Sequence, residues 1–226
     1  MKNTAVNLST GISGIVMYLL VLLEIPFYFF YTPAADGTTP VNIVLIRILI
    51  DLFICIGLIG FFSGFRTIVA CAKPEVEWIA ALMSALGMAF SIVALVADSI
   101  QVGSVWAAGT KTINPTWVGA GAEGALLIYG PINRLLNSLI LFAGSTLVLK
   151  SRLFPKWTAG FGYFSCLYNL LFIPTMFYMT TPLDFYSTNG WNIPIAASFF
   201  FLWIFIISIY LLRNKPASQQ SPSPAV

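Results

Sequence analysis

The polar positions of this chain fall in clumps. Between the clumps run six long apolar stretches, at residues 11–31, 41–62, 76–100, 125–149, 158–179 and 191–212. Each is close to the roughly 20 residues that a helix needs to cross about 30 Å of hydrocarbon. The pattern predicts an all-α fold, a polytopic membrane bundle of six transmembrane helices forming one domain over residues 1–212. Residues 213–226 are mostly Ser, Pro and Gln and read as a disordered tail. The clumps carry turn and cap chemistry. Residues 32–40 combine Pro, Gly, Asp and Thr. Lys73-Pro74-Glu75 reads as a helix start, with proline in the first turn and acids at the positive end of the dipole. Pro26 and the Gly130-Pro131 pair predict kinks within the first and fourth spans. The first span exceeds a signal-peptide core and contains Glu24 and Pro26, so it reads as a retained helix behind a short polar lead, residues 1–10. The connection at 101–123, with Trp106 and Trp117, suits an interfacial segment, or continues the third span before turning.

Composition agrees with the pattern. The chain is 58% hydrophobic and 8% charged, against about 25% charged in soluble domains. Six spans place both termini on one side of the membrane. Lys2, Arg66, Lys73, Lys150, Arg152, Lys156, Arg213 and Lys215 fall on that side, and Lys111 alone on the other. Positive charge follows the cytoplasm, so both termini are expected there. The chain has no histidine, which removes the usual haem and zinc ligands and the commonest general base. Cys55, Cys71 and Cys166 show no CxxC spacing, and two of them lie inside spans as small buried hydrophobes. No cofactor and no metal site is expected. The basic residues are scattered over loops and termini, which is no nucleic-acid surface. Gly119, Gly121 and Gly124 match GxGxxG but follow no strand, so a dinucleotide site is not implied.

The remaining charges are the candidate chemistry. Glu24, Arg47, Asp51, Asp98 and Arg134 lie inside spans, where an unpartnered charge costs about 3 kcal/mol or more. Counting about 1.5 Å per residue along each span puts all five in the outer half of the bilayer. Arg47 and Asp51 share a helix face, but in the less favourable order for pairing with each other. Contact with Glu24, Asp98 and Arg134 on neighbouring helices is the better expectation, with Glu24 or Asp98 pairing Arg134. Three carboxylates against two guanidiniums leave one acid over, which calls for a proton or a cation. Polar and small residues recur at helical spacing beside these charges: Asn133, Asn137, Ser138, Gly144 and Ser145 in the fourth span, Ser84, Gly87 and Ser91 in the third, Ser165 and Asn169 in the fifth. Such stripes suit inward faces. Glu123 could join the rim.

In its length, its Gly11-Ile12-Ser13-Gly14 start, its Gly64-Phe65-Arg66 exit from the second span and its Lys150-Ser151-Arg152-Leu153-Phe154-Pro155-Lys156-Trp157 turn, the chain resembles a bacterial family of six-helix membrane proteins, domain of unknown function 4386. The resemblance implies a bacterial cytoplasmic membrane and an uncharacterised role, and carries over no catalytic residue. Three functional readings follow from the residues. One is an outward-facing polar pocket over Glu24, Arg47, Asp51, Asp98, Arg134, Asn137 and Asn169, binding a small solute, ion or proton in a transporter-like or sensory protein. Another is a structural or partner-binding subunit whose charges are helix staples. The third is an intramembrane enzyme using Glu24 or Asp51 as acid or base, which the absence of a histidine or a serine triad disfavours. Besides the lipid bilayer and such a solute, the sequence implies no partner, and it leaves the oligomeric state open.

Overall fold

The computed structural model describes residues 2–29, 39–108, 112–113, 127–178, 185–187 and 192–213, with side chains over 4–27, 40–103, 127–178, 185–187 and 192–213. They form six α-helices: α1 (Lys2–Phe29), α2 (Val41–Ala72), α3 (Glu77–Ala108), α4 (Asn133–Ser151), α5 (Lys156–Leu171) and α6 (Asn192–Arg213). A two-residue pairing of β1 (Thr39–Pro40) with β2 (Thr112–Ile113) ties the start of α2 to the connection that follows α3. Five segments are long and apolar enough to cross a membrane: Thr4–Phe27, Val41–Ala72, Pro74–Gly103, Ile128–Ser151 and Asn192–Arg213. Their outer surfaces carry large apolar side chains such as Leu19, Phe53, Ile56, Ile92 and Phe142, each more than half exposed. Such a surface belongs in lipid.

Helix ends follow local chemistry. α2 runs ten residues beyond the expected end at Phe62, because residues 63–72 lack proline and Phe65 and Val69 bury against the core. It stops at Lys73, since the residue before Pro74 is driven out of the α region. Pro74–Val76 then makes one 3-10 turn and α3 begins at Glu77. α1 also starts earlier than expected: the polar lead is helical from Lys2, and Thr10 is buried against Gly64 of α2. The kink at Gly130-Pro131 is present as a π-helical turn, Ile128–Ile132, in which Gly130 leaves helical geometry. The fifth span departs most from expectation. α5 is 16 residues long and gives way to a 3-10 turn, Ile173–Tyr178. Pro174 has no N–H for Leu170 and its ring crowds that carbonyl, so the α-helix cannot continue.

Each helix packs on its neighbour in sequence, and α6 returns to α1, closing a ring. α2 and α6 also touch α4 across the middle. The core on this crossing is aromatic and aliphatic: Leu58, Phe61 and Phe62 of α2, Ile140 and Leu141 of α4, and Phe200 and Trp203 of α6. Trp203 is fully buried, lies against Gly144 and Gly162, and donates its indole N–H to the Thr158 carbonyl at 3.0 Å. The α1–α2 seam depends on small residues. A Cβ at Gly57 would meet Met17 Cβ at 2.9 Å, and one at Gly60 would meet Ser13 Oγ at 2.9 Å. In lipid, helix association rests on such close packing and not on a hydrophobic drive. Gly57→Leu is therefore expected to force α1 from α2 and lower stability by about 1–3 kcal/mol, measured as unfolding of the purified protein in detergent micelles.

Candidate functional site

The five intramembrane charges form two groups on opposite halves of the ring. The first gathers Glu24 (α1), Arg47 and Asp51 (α2) and Asp98 (α3). Asp51 feels the charges of Glu24, Asp98 and Arg47, with the Glu24 carboxyl group its near neighbour. Arg47 is buried and donates from Nη2 to Gln101 Oε1 at 2.8 Å, joining α2 to α3. Asp98, 2% exposed, accepts from the Tyr129 hydroxyl at the head of the π turn, while its Oδ2 has no hydrogen-bond partner among the described residues. Below them, the Cys55 thiol contacts the Ser91 carbonyl at 3.8 Å. The group thus holds three acids around one guanidinium. Among the described residues no set of three or more His, Cys, Asp or Glu is arranged to hold a metal ion.

The second group surrounds Arg134 on α4. The expected pairing of Arg134 with Glu24 or Asp98 does not occur. Its Nη1 donates to the Phe172 carbonyl at 2.6 Å and to Thr175 Oγ1 at 2.7 Å, and its Nη2 donates to Asn192 Oδ1. The guanidinium also lies 5.9 Å from the centroid of the Phe172 ring, within cation–π range. The cause lies in the break of α5. Where Pro174 stops the helix, the Phe172 carbonyl accepts from the Thr175 N–H at 3.3 Å and from the Thr175 hydroxyl at 2.7 Å and stands at the negative end of the helix dipole, where a further donor and a positive charge are favoured. A buried guanidinium supplies both at once. Asn192, the first residue of α6, passes the network on by donating to the Ser187 and Phe185 carbonyls, and the Tyr186 hydroxyl donates to the Leu171 carbonyl.

The inward stripes are buried as their spacing predicts. Asn133, Asn137, Ser138, Ser145, Ser165 and Asn169 are all buried. Ser138 donates to the Arg134 carbonyl and, across the α4–α5 seam, to the Cys166 carbonyl, while Asn169 Nδ2 donates within α5 to the Ser165 carbonyl. The Oδ1 atoms of Asn133, Asn137 and Asn169 have no partner among the described residues. Gln101, Tyr129, Thr175 and Asn192 complete the two groups and were not singled out by sequence reasoning. Gln101 follows Asp98 by three residues on the same helix face, a spacing that could have flagged it. Nothing local marks Thr175 or Asn192. Glu123 and the Gly119–Gly124 run lie outside the described residues. A cavity of about 440 Å³ is present, but at the opposite ends of α2 and α3 from the carboxyl groups, beside Arg66 and Glu77.

No family model matches the chain, and neither a curated protein nor a solved structure is detectably similar to it. Function has to be argued from these two groups. For the second, Arg134→Gln removes a charged donor from three acceptors and leaves a broken helix end uncapped. It is expected to cost about 3 kcal/mol or more and to speed hydrogen exchange at residues 172–178 selectively, read by mass spectrometry.

Proposed function

We propose that the chain is a proton-responsive membrane protein, transporter-like or sensory, whose working site is the carboxyl group of three on α1, α2 and α3. The observation that carries this reading is the charge count of that half: Glu24, Asp51 and Asp98 share one nearby cation, Arg47, because Arg134 is committed to the end of α5. Three ionised carboxylates around one guanidinium would be strongly unfavourable at low dielectric. The site therefore exchanges protons, or a small cation in their place, whenever its surroundings change. Asp51, partly exposed, is the member best placed to do so, with the Glu24 carboxyl group beside it. Asp98 and Tyr129 form the inner edge, and Arg47 with Gln101 holds α2 to α3. The distribution of Lys and Arg favours a topology with both termini in the cytoplasm and the cluster in the outer half. The resemblance of the 150–157 turn favours a bacterial cytoplasmic membrane. The staple reading is supported for the other half alone, where Arg134 meets neutral acceptors and no acid.

The test uses the full chain reconstituted in lipid and infrared difference spectroscopy between acidic and alkaline buffer. The wild type is expected to show the carbonyl stretch of a protonated carboxylic acid, shifted in D2O. Asp51→Asn and Glu24→Gln should each diminish that band while leaving the melting temperature close to wild type, because an amide keeps the shape of a protonated carboxyl group and a donor. A band absent from the wild type at every pH would sink the reading. So would neutral variants that unfold without altering the spectrum, which is how staples behave.

A further inference from the structure

The cavity between α2 and α3 lies outside both charged groups and has a composition of its own. It is about 440 Å³, within the range of ligand sites, and is lined among others by Ser63, Arg66, Thr67, Glu77, Ser84 and Met88. All of these belong to segments apolar and long enough to cross the membrane, and Arg66, Thr67 and Met88 are exposed at its open side. The groove therefore opens laterally, toward lipid.

Its chemistry is graded along the helix axis. At the helix ends stands an ion pair, Arg66 Nη2 to Glu77 Oε1 at 2.6 Å, with both side chains more than a third exposed. Deeper lie the hydroxyls of Ser63 and Ser84. Ser84 is 5% exposed, lines the groove and makes no hydrogen bond among the described residues. Deepest is the Met88 side chain, about 16 Å along the axis from Glu77. Charge, then hydroxyl, then thioether is the order in which a phospholipid presents phosphate, glycerol ester and acyl chain. A soluble solute would have no use for the apolar end, and a bare acyl chain would leave Ser84 unanswered. The wall suits the role, since Ser63, Thr67 and Ala70 on α2 are small enough to leave a furrow. Exposed Trp78 beside Glu77 marks the level of the headgroups.

The geometry points to a binding site for one anionic phospholipid, its phosphate on Arg66, its ester carbonyl on Ser84 and one acyl chain along Met88. Basic pockets between transmembrane helices on the cytoplasmic side suit such headgroups. Here Glu77 competes with the lipid for Arg66. The ion pair acts as a latch that an anionic headgroup opens by taking the guanidinium from the carboxylate.

This competition gives the test two opposite arms. The full chain is placed in phosphatidylcholine nanodiscs doped with phosphatidylglycerol, and the selectivity for spin-labelled phosphatidylglycerol over phosphatidylcholine is read by electron spin resonance. The wild type is expected to prefer phosphatidylglycerol severalfold. Arg66→Gln should abolish the preference, and Glu77→Gln should raise it severalfold by freeing the arginine. Both positions are solvent- or lipid-exposed, so both variants are expected to fold, which the unchanged α-helical circular dichroism will verify. Inorganic phosphate in excess should leave the bound lipid in place, because it offers no chain to the groove. Equal selectivity in the wild type and both variants would overturn the proposal, as would displacement of the lipid signal by phosphate alone.

Discussion

A charge carried into hydrocarbon must be answered by a charge or by organised dipoles, and the arrangement of this bundle depends on how Arg134 is answered. No carboxylate among the described residues pairs with it. The answer is the end of a helix stopped by Pro174, where the Phe172 carbonyl and the Thr175 hydroxyl accept from one nitrogen while Asn192 accepts from the other. A proline and an arginine that would each be costly alone offset one another. The proline exposes backbone acceptors that lipid cannot satisfy, and the arginine supplies donors that lipid cannot satisfy. Because the acceptors come from α5 and from the first residue of α6, this one side chain fixes where α4, the break and α6 meet.

That solution has a consequence for the rest of the charges. With Arg134 committed, the acids of α1–α3 are left with Arg47 and with neutral donors such as the Tyr129 hydroxyl. The imbalance on one half of the ring thus follows from a backbone event on the other half. Arg47 and Arg134 both lie in the first two turns of their helices, α2 and α4, yet one reaches a glutamine of α3 and the other a helix terminus. The first group is built on carboxyl groups, whereas the second joins a guanidinium to amide, hydroxyl and carbonyl partners that do not titrate near neutral pH.

What the sequence made legible was whatever hydrophobic period and proline chemistry control. The apolar runs located the helices, Pro74 located the start of α3, and Gly130-Pro131 located the kink that appears as a π turn. The stripe from Asn133 to Ser145 is buried as its spacing required. Helix ends were less legible, because residues 63–72 continue α2 only through the burial of Phe65 and Val69, a tertiary effect. The partner of Arg134 was not legible at all. Counting acids and bases treats side chains as the available counter-charges, whereas the acceptor here is main chain, created by a break whose effect on a neighbouring helix has no residue-level signature. The boundary of the third span put Gln101 in the connection, which the sequence allowed to continue the helix; α3 does continue, to Ala108, and presents Gln101 beside Asp98.

The two halves are nevertheless joined by contiguous structure. Asp98 holds the hydroxyl of Tyr129, Tyr129 belongs to the π turn Ile128–Ile132, and that turn packs on the 3-10 turn Ile173–Tyr178 that Arg134 secures. Both turns are interruptions of α-helix, where backbone hydrogen bonds are weakest and displacement costs least. The side chain that donates to Asp98 thus adjoins the non-helical Gly130. Asp98 is therefore joined to both helix breaks through one side chain and one packed turn, so the three acids and the Arg134 network share a continuous path of contacts.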